Sequence, residues 1–354
     1  MKYDVLIIGH GIAGCVLSFM LLKEGKNVLV LDEPKQNESS RVAAGLYNPI
    51  TGRKMVKTWQ ADLLFPLLKA VYEEMQDTCE EKIFYDRPIY RPFISVAEQN
   101  EWQGKAAEEG WQGYINEIKT TAFLQDQIHN PYGGIVVGNS GWVNLPLLLN
   151  SWSKKLEEKG MYRQQIFDEN KLEASEEEFK YDDVTADAVV YTNGRFSAES
   201  KFWNWLPFKP LKGEVLHIST DLETSFIPNR GVFIAPDTNR NNSGSFRVGS
   251  TYNHHDLSLE PTVDGRQQLE EKLTQLLKLP YTITGQKVGI RPATRDRRPF
   301  VGVHPKIKNL YLLNGLGTKG VSLAPFCAKA LVGLLLFEGK IPAEINIERY
   351  FSLY

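Results

Sequence analysis

The 354-residue chain predicts an α/β fold in which two domains share interrupted segments, one carrying a parallel sheet and the other an α+β unit built on a mostly antiparallel sheet. Three observations predict it. The first 33 residues read strand, glycine turn, helix, strand; from about residue 86 to 138 the pattern changes to short strands rich in aromatics and proline; and apolar strands with glycine turns return later in the chain. The expected division is 1–85, 139–209 and 285–354 for the first domain, and 86–138 and 210–284 for the second.

The opening stretch, KYDVLIIGHGIAGCVLSFMLLKEGKNVLVLDE, carries the clearest signal. Residues 5–8 have the β-branched bias of a buried parallel strand, and Gly9, Gly11 and Gly14 give a GxGxxG spacing that encloses Ile12 and Ala13. The first glycine allows a tight turn, the second a close backbone approach to a pyrophosphate, and the third the packing of a helix over residues 12–23 on the sheet. That helix would turn its free N–H groups and positive dipole end to the phosphates. Gly25 stops it, residues 28–31 form the next strand, and Asp32, with Glu33 beside it, ends that strand 18 residues after Gly14, placed to accept from a ribose hydroxyl. The unit is Rossmann-like, and both NAD and FAD satisfy it.

Composition bounds the rest. Hydrophobic residues make up 42% of the chain, ordinary for a globular protein, and a net charge of −2 supplies no basic field for nucleic acid or an anionic membrane. Cys15, Cys79 and Cys327 lack metal-ligand spacing and read as free thiols of a reducing, cytoplasmic compartment. His254 and His255 are adjacent, so on a strand they point apart, and no metal is expected. Asp4 and the glycine turn interrupt any signal-peptide pattern. The apolar run 324–337 is too short to span a bilayer, carries Lys329, and reads as a buried helix rather than a membrane anchor. The acidic run 173–183 reads as a solvated hairpin.

Residues 39–53, SSRVAAGLYNPITGR, are rich in small side chains, so a flat ligand could lie against the backbone at Ala43, Ala44 and Gly45, next to Ser40 and Arg41. Residues 61–80 predict an amphipathic helix with Leu63, Leu64, Leu67, Leu68, Val71 and Tyr72 on one face. Residues 141–160 predict a helix with a glycine stop, and 186–194 an apolar strand ending in Thr192, Asn193 and Gly194. Residues 231–252 predict two strands around an NRNNSG turn, with Arg247, Gly249 and Thr251 on one face of the second and Phe246, Val248 and Ser250 on the other. A helix is expected over 262–279. Two motifs follow: VGIRPATRDRRPFVG at 288–302, and LYLLNGLGTKGVSLAP at 310–325, a strand, a glycine turn and a helix start.

Set in this order, the GxGxxG unit, Ser40 with Ala43, Ala44, Gly45 and Pro49, the PLKGE of 210–214, the RPATRD segment and the last glycine turn resemble the D-amino-acid oxidase, glycine oxidase and sarcosine oxidase family of FAD enzymes, from residue 2 to about 338. The resemblance implies a Rossmann-like FAD-binding domain interleaved with a substrate domain. It implies an enzyme that oxidises the C–N bond of a small amine or amino acid (a D-amino acid, glycine or an N-methyl amino acid) by hydride transfer to flavin N5. Molecular oxygen or another electron acceptor would complete the cycle.

Ala43 to Gly45 would border the isoalloxazine and the Thr192–Gly194 turn the pyrophosphate. Arg291 would grip a substrate carboxylate, its structural alternative being an ion pair with Asp296. The turn of Gly315, Gly317, Thr318, Lys319, Gly320, Val321 and Ser322 would aim a helix N-terminus at the flavin N1–C2=O edge. Lys319 would add positive charge there, its structural alternative being a solvated lysine. Arg247 corresponds to a basic residue over the flavin that assists oxygen, and Tyr252, with Tyr47 and Trp59, would line the pocket. Two departures matter. Thr318 stands where glycine oxidases have an arginine, and no cysteine lies near RPATRD, so FAD is expected to be non-covalent.

Three alternatives stay open. RPATRDRRPFVG also resembles the oxidase half of the bifunctional enzyme that removes a carboxymethylaminomethyl group at tRNA wobble uridine, with Arg291, Arg295, Arg297 and Arg298 as a basic patch. The first 33 residues alone allow an NAD-dependent dehydrogenase. A flavin-bound interaction protein without turnover is the third.

Overall fold

The computed structural model describes residues 1–33, 39–52, 55–237 and 244–354. The polar loop after Glu33, Arg53 with Lys54, and the NRNNSG turn except its last residue, Gly244, lie outside the described residues.

The strand Lys2–Ile8 runs parallel to Val28–Asp32 on one side and to Val184–Tyr191 on the other. Tyr162–Gln164 extends this sheet beyond Val28–Asp32, and Leu310–Asn314 joins Val184–Tyr191, again parallel. Helices cover it, and the side chains of its central strands are mostly buried from both faces, which is why they read as apolar runs, whereas the edge strand Tyr162–Gln164 is partly exposed and polar. The helix Ile12–Lys23 is buried around most of its circumference. It has no polar face because Gly320–Phe337 and Leu145–Glu158 pack against it.

Several elements differ from the sequence reading. Helix Ala61–Cys79 buries Leu64, Leu68, Val71, Tyr72 and Met75, but Leu63 is 56% exposed. The buried stripe follows the three- and four-residue steps from Leu64, and Leu63 stands off that stripe. Residues 141–143 are a strand between Leu46–Tyr47 and Phe84–Asp86, and the helix starts only at Leu145, capped by the Asn144 side chain. The acidic run does form an antiparallel hairpin, Glu173–Ala174 with Phe179–Tyr181, yet Phe179 and Tyr181 are buried because the hairpin continues the parallel sheet. The helix expected over 262–279 is Val263–Thr274, with Thr262 accepting from the Gly265 N–H at 2.9 Å. The last helix, Gly320–Phe337, starts ahead of the apolar run 324–337 and is long and apolar enough to cross a membrane by length and composition; half of it is buried inside the protein against Ile12–Lys23 and Ala61–Cys79.

The second sheet has eight strands in the order Thr282–Arg291, Leu211–Ser219, Ser245–Gly249, Val232–Pro236, Ile227–Arg230, Ile89–Pro92, Gly134–Val137 and Ile115–Lys119. All neighbours are antiparallel except Ile227–Arg230 with Ile89–Pro92. Thr282–Arg291 runs unbroken across residue 285, where the sequence reading drew a boundary. Helix Val263–Thr274 seals one face through Leu269 and Leu273 on Leu216, Ile234 and Val248. The opposite face looks at the parallel-sheet unit. Register puts Gly213 beside Gly289, and Gly249 between Val215 and Phe233, so small residues recur on that face.

Candidate active site

Two helix N-termini meet between the two sheets. At the first, Gly9 has φ of +102°, and a Cβ there would come 2.8 Å from Asn193 Cα. A Cβ on Gly14 would come 2.0 Å from the Gly9 carbonyl oxygen, so neither position admits a side chain without moving backbone. Thr192 donates through Oγ1 to the Gly9 carbonyl at 2.7 Å, locking the Thr192, Asn193 and Gly194 turn onto the glycine turn. Gly11 provides no side-chain cap, and the Ile12 N–H instead donates to Ser40 Oγ at 3.1 Å. Ala13 lies buried in this first turn. Asp32 accepts from the His10 N–H at 2.8 Å and from Tyr162 Oη at 3.4 Å, which leaves it acceptor capacity for a ligand hydroxyl. Glu33 follows, half-buried. Arg41 donates to Asn150 Oδ1 at 2.5 Å.

His10 was missed by sequence reasoning. Its ring is buried with Nε2 at 3.1 Å from the Leu149 carbonyl, its Nδ1 has no partner among the described residues, and burial lowers its pKa despite nearby Asp32. The signal was present in its place between Gly9 and Gly11.

At the second N-terminus, Gly315 and Gly317 have positive φ, and the Gly317 N–H donates to the Pro292 carbonyl at 3.2 Å. Asn314 Nδ2 reaches the Gly194 carbonyl at 2.9 Å, and Tyr72 Oη donates to the Val321 carbonyl at 2.8 Å. A Cβ on Gly320 would come 3.1 Å from Ile12 Cγ2, so the starts of the two helices lie side by side. Val321 and Ser322 are buried in the first turn, while Thr318 is exposed at the tip.

Ala43, Ala44 and Gly45 enter between them. Gly45 has φ of +72°, and a Cβ there would fall 1.9 Å from the Val143 carbonyl oxygen. Arg247 braces this segment. Its Nη1 donates to the Ala43 carbonyl at 2.7 Å, and its Nε to Asp237 Oδ1 at 3.1 Å. The other Asp237 oxygen lies 2.7 Å from His217 Nδ1. Burial opposes ionisation of Asp237, but His217 and Arg247 outweigh it and hold the carboxyl well below the usual carboxylate range. The face carrying Arg247 and Gly249 is therefore the inward one. The guanidinium is buried and engaged by carboxylate and carbonyl oxygens, not an exposed strand arginine.

Arg291 behaves differently. Its Nη2 donates to Ser250 Oγ at 2.7 Å and its Nη1 to the Thr251 carbonyl at 3.2 Å, and its Cζ lies 5.0 Å from the centre of the Tyr252 ring. It lies across Gly213, where a Cβ would come 2.1 Å from Nη2. Burial lowers its pKa. Asp296 is not its partner, being paired with Arg349 at 3.0 Å, and among the described residues no carboxylate lies within ion-pair distance of Arg291. Tyr252 is 65% exposed, an outer wall rather than core.

Lys319 is not a solvated loop lysine. Nζ donates to Thr51 Oγ1 at 3.1 Å and Thr58 Oγ1 at 3.2 Å, and burial, then the nearby Arg298, lowers its pKa. Arg298 stacks on Trp59 with Cζ 4.7 Å from the ring centre. Arg295 and Arg297 are exposed. Tyr47, expected to line the pocket, is core instead, donating to Asp86 at 2.9 Å and stacked on Phe84 at 5.3 Å. Among the described residues, no group of three or more His, Cys, Asp or Glu side chains could hold a metal ion.

Comparison with known proteins places these features in context. The model of the FAD dependent oxidoreductase family, DAO, matches residues 4–334. The chain is 23% identical over 375 residues to the glycine oxidase of Bacillus subtilis (strain 168), covering 94% of this chain and 93% of that protein. It is also 23% identical over 391 residues to the tRNA 5-methylaminomethyl-2-thiouridine biosynthesis bifunctional protein of Hydrogenovibrio crunogenus, and spans 55% of that protein's length. The crystal structure of iminodiacetate oxidase from Chelativorans sp. BNC1 superposes with a TM-score of 0.80 at 21% identity, covering 98% of both chains, a likeness of fold.

Proposed function

The chain belongs to the FAD dependent oxidoreductase family, DAO, and from that premise we propose that it oxidises the C–N bond of a small amino acid whose carboxylate Arg291 holds. The observation that carries this reading is the guanidinium of Arg291, which is withdrawn from water without a carboxylate partner among the described residues. Such a charge is costly until an anion meets it, and the planar fork matches a carboxylate with two parallel hydrogen bonds. Tyr252 would cover the bound carboxylate from outside.

The residues present fit FAD. The glycine turn of Gly9, Gly11 and Gly14 and the start of Ile12–Lys23, which Gly11 leaves without a side-chain cap of its own, would receive the pyrophosphate beside Ser40, with Thr192, Asn193 and Gly194 closing the turn. Asp32 and Glu33 would take the ribose, with Arg41 nearby. Ala43 to Gly45 would border the ring, kept in place by Arg247. Gly315, Gly317, Thr318, Gly320, Val321, Ser322 and the backbone of Lys319 would face its pyrimidine edge. When bound, FAD supplies the hydride acceptor, at N5. The protein's part is to hold the substrate's charge and turn one C–H toward that atom. Cys15, Cys79 and Cys327 are buried free thiols; non-covalent attachment of FAD and a reducing, cytoplasmic setting are part of this proposal. The family match sets aside NAD as the cofactor.

The test is anaerobic reduction of the purified holoprotein by glycine, D-amino acids, N-methyl amino acids and iminodiacetate. Bleaching of the flavin by one of them is expected. No bleaching by any would favour a flavin-bound protein without turnover. The tRNA reading draws on the similarity to the bifunctional relative and on exposed Arg295 and Arg297. It predicts salt-dependent tRNA binding instead.

A further inference from the structure

Resting on that reading of Arg291, we infer that the substrate carries a second carboxylate, received by Lys319 with Thr51, Thr58 and Arg298. The Gly317 N–H is bonded to the Pro292 carbonyl, so Arg291 and Lys319 leave one backbone junction, one and two residues away from it. Arg291 reaches toward Ser250 and Tyr252 on the antiparallel sheet, whereas Lys319 reaches toward the segment that follows Ala43 to Gly45. Two cationic ends therefore diverge from a common origin between the two sheets.

The second end is short of negative charge. The Lys319 ammonium is half-buried and touches two hydroxyls, and Arg298, close enough to depress its pKa, is a like charge. Among the described residues neither cation has a carboxylate within ion-pair distance, although the chain holds 43 acidic side chains. An isolated lysine in a loop would relax into water. This one is held in by Thr58, itself 4% exposed and donating its own proton to the Asn48 carbonyl at 3.2 Å, and by Thr51, whose hydroxyl can donate to an anion while accepting from the ammonium. A carboxylate there would remove the repulsion between Lys319 and Arg298 and replace the water both have lost. A monoacid would meet Arg291 and leave this charge unanswered.

The test titrates the holoprotein with propionate, succinate, glutarate and adipate, none of which has an amine to oxidise, and reads the perturbation of the flavin absorbance. At least one dicarboxylate is expected to bind about ten-fold tighter than propionate, the gain of one charge-assisted pair. Lys319→Met should bring that ratio close to one, and Lys319→Arg should restore most of it, with flavin content serving as the check on folding. A dicarboxylate advantage that is absent, or that survives Lys319→Met, overturns the second subsite. So does an equal loss for mono- and dicarboxylates together with weaker flavin binding, which would assign Lys319 to the cofactor. Propionate binding unmoved by Arg291→Met would instead overturn the Arg291 anchor, so the two readings fail separately.

Discussion

Replacing Arg291 by Met separates a substrate anchor from a structural cation. The side chain makes two hydrogen bonds within the protein, to Ser250 Oγ and the Thr251 carbonyl, and lies against Tyr252. Met keeps much of the stem volume over Gly213 but deletes the charge. A carboxylate held by two charge-assisted bonds gains about 1.5–3 kcal/mol from each. Removing the guanidinium also frees the substrate to keep part of its hydration, so a net loss of about 3 kcal/mol is expected, near the low end of the pair's sum. At about 1.4 kcal/mol per decade this is a rise in KM of roughly 100-fold. Because the deleted charge is withdrawn from water and lacks a carboxylate partner, the substrate-free variant should melt at or above the parent temperature, unlike one that breaks a satisfied ion pair. The assay is anaerobic flavin reduction over a range of substrate concentrations, paired with thermal melting. Unchanged KM, or a variant that loses both fold and flavin, would refute the anchor.

Other substitutions probe the supporting parts. Gly14→Ala should abolish flavin retention, because its Cβ would sit 2.0 Å from the Gly9 carbonyl; a yellow, fully loaded variant would contradict this. Asp237→Asn leaves Arg247 short of its anion and should cost about 3 kcal/mol in urea unfolding, the usual scale for removing one partner of a buried pair. The pH dependence follows from the sign of the shift. Since the folded carboxyl is depressed, its contribution is complete above the unfolded value of about 4 and is lost as pH falls below it. Asp237→Asn should therefore flatten the acid limb of the stability curve, and an unchanged limb would count against the brace. Tyr72→Phe removes the donor to the Val321 carbonyl and should lower stability by about 1–2 kcal/mol, measured by denaturant midpoint.

What the sequence made legible was local. The glycines at 9, 11 and 14, the acid at the end of the second strand, and the apolar runs of the parallel sheet follow from spacing and period within about 30 residues. The Asp237, Arg247 and Ala43 chain was not legible, because its carbonyl contact joins residues 204 apart in sequence. The surroundings of Lys319 were not legible for the same reason, since its hydroxyl partners stand 268 and 261 residues away. Leu63 shows the remaining limit: an apolar residue next to a helical stripe looks like part of it until the neighbouring helices fix the buried arc. Tyr47 read as a pocket aromatic, and only the strand at 141–143 shows why it is buried.

The most direct measurement is an anaerobic titration of the holoprotein with amino acids, run side by side on the parent and on Arg291→Met, following the oxidised flavin band at about 450 nm. The account predicts that an acidic amino acid bleaches the parent and that the variant, equally loaded with FAD, needs roughly 100-fold more of it. Equal bleaching of both proteins, or of neither, would contradict it.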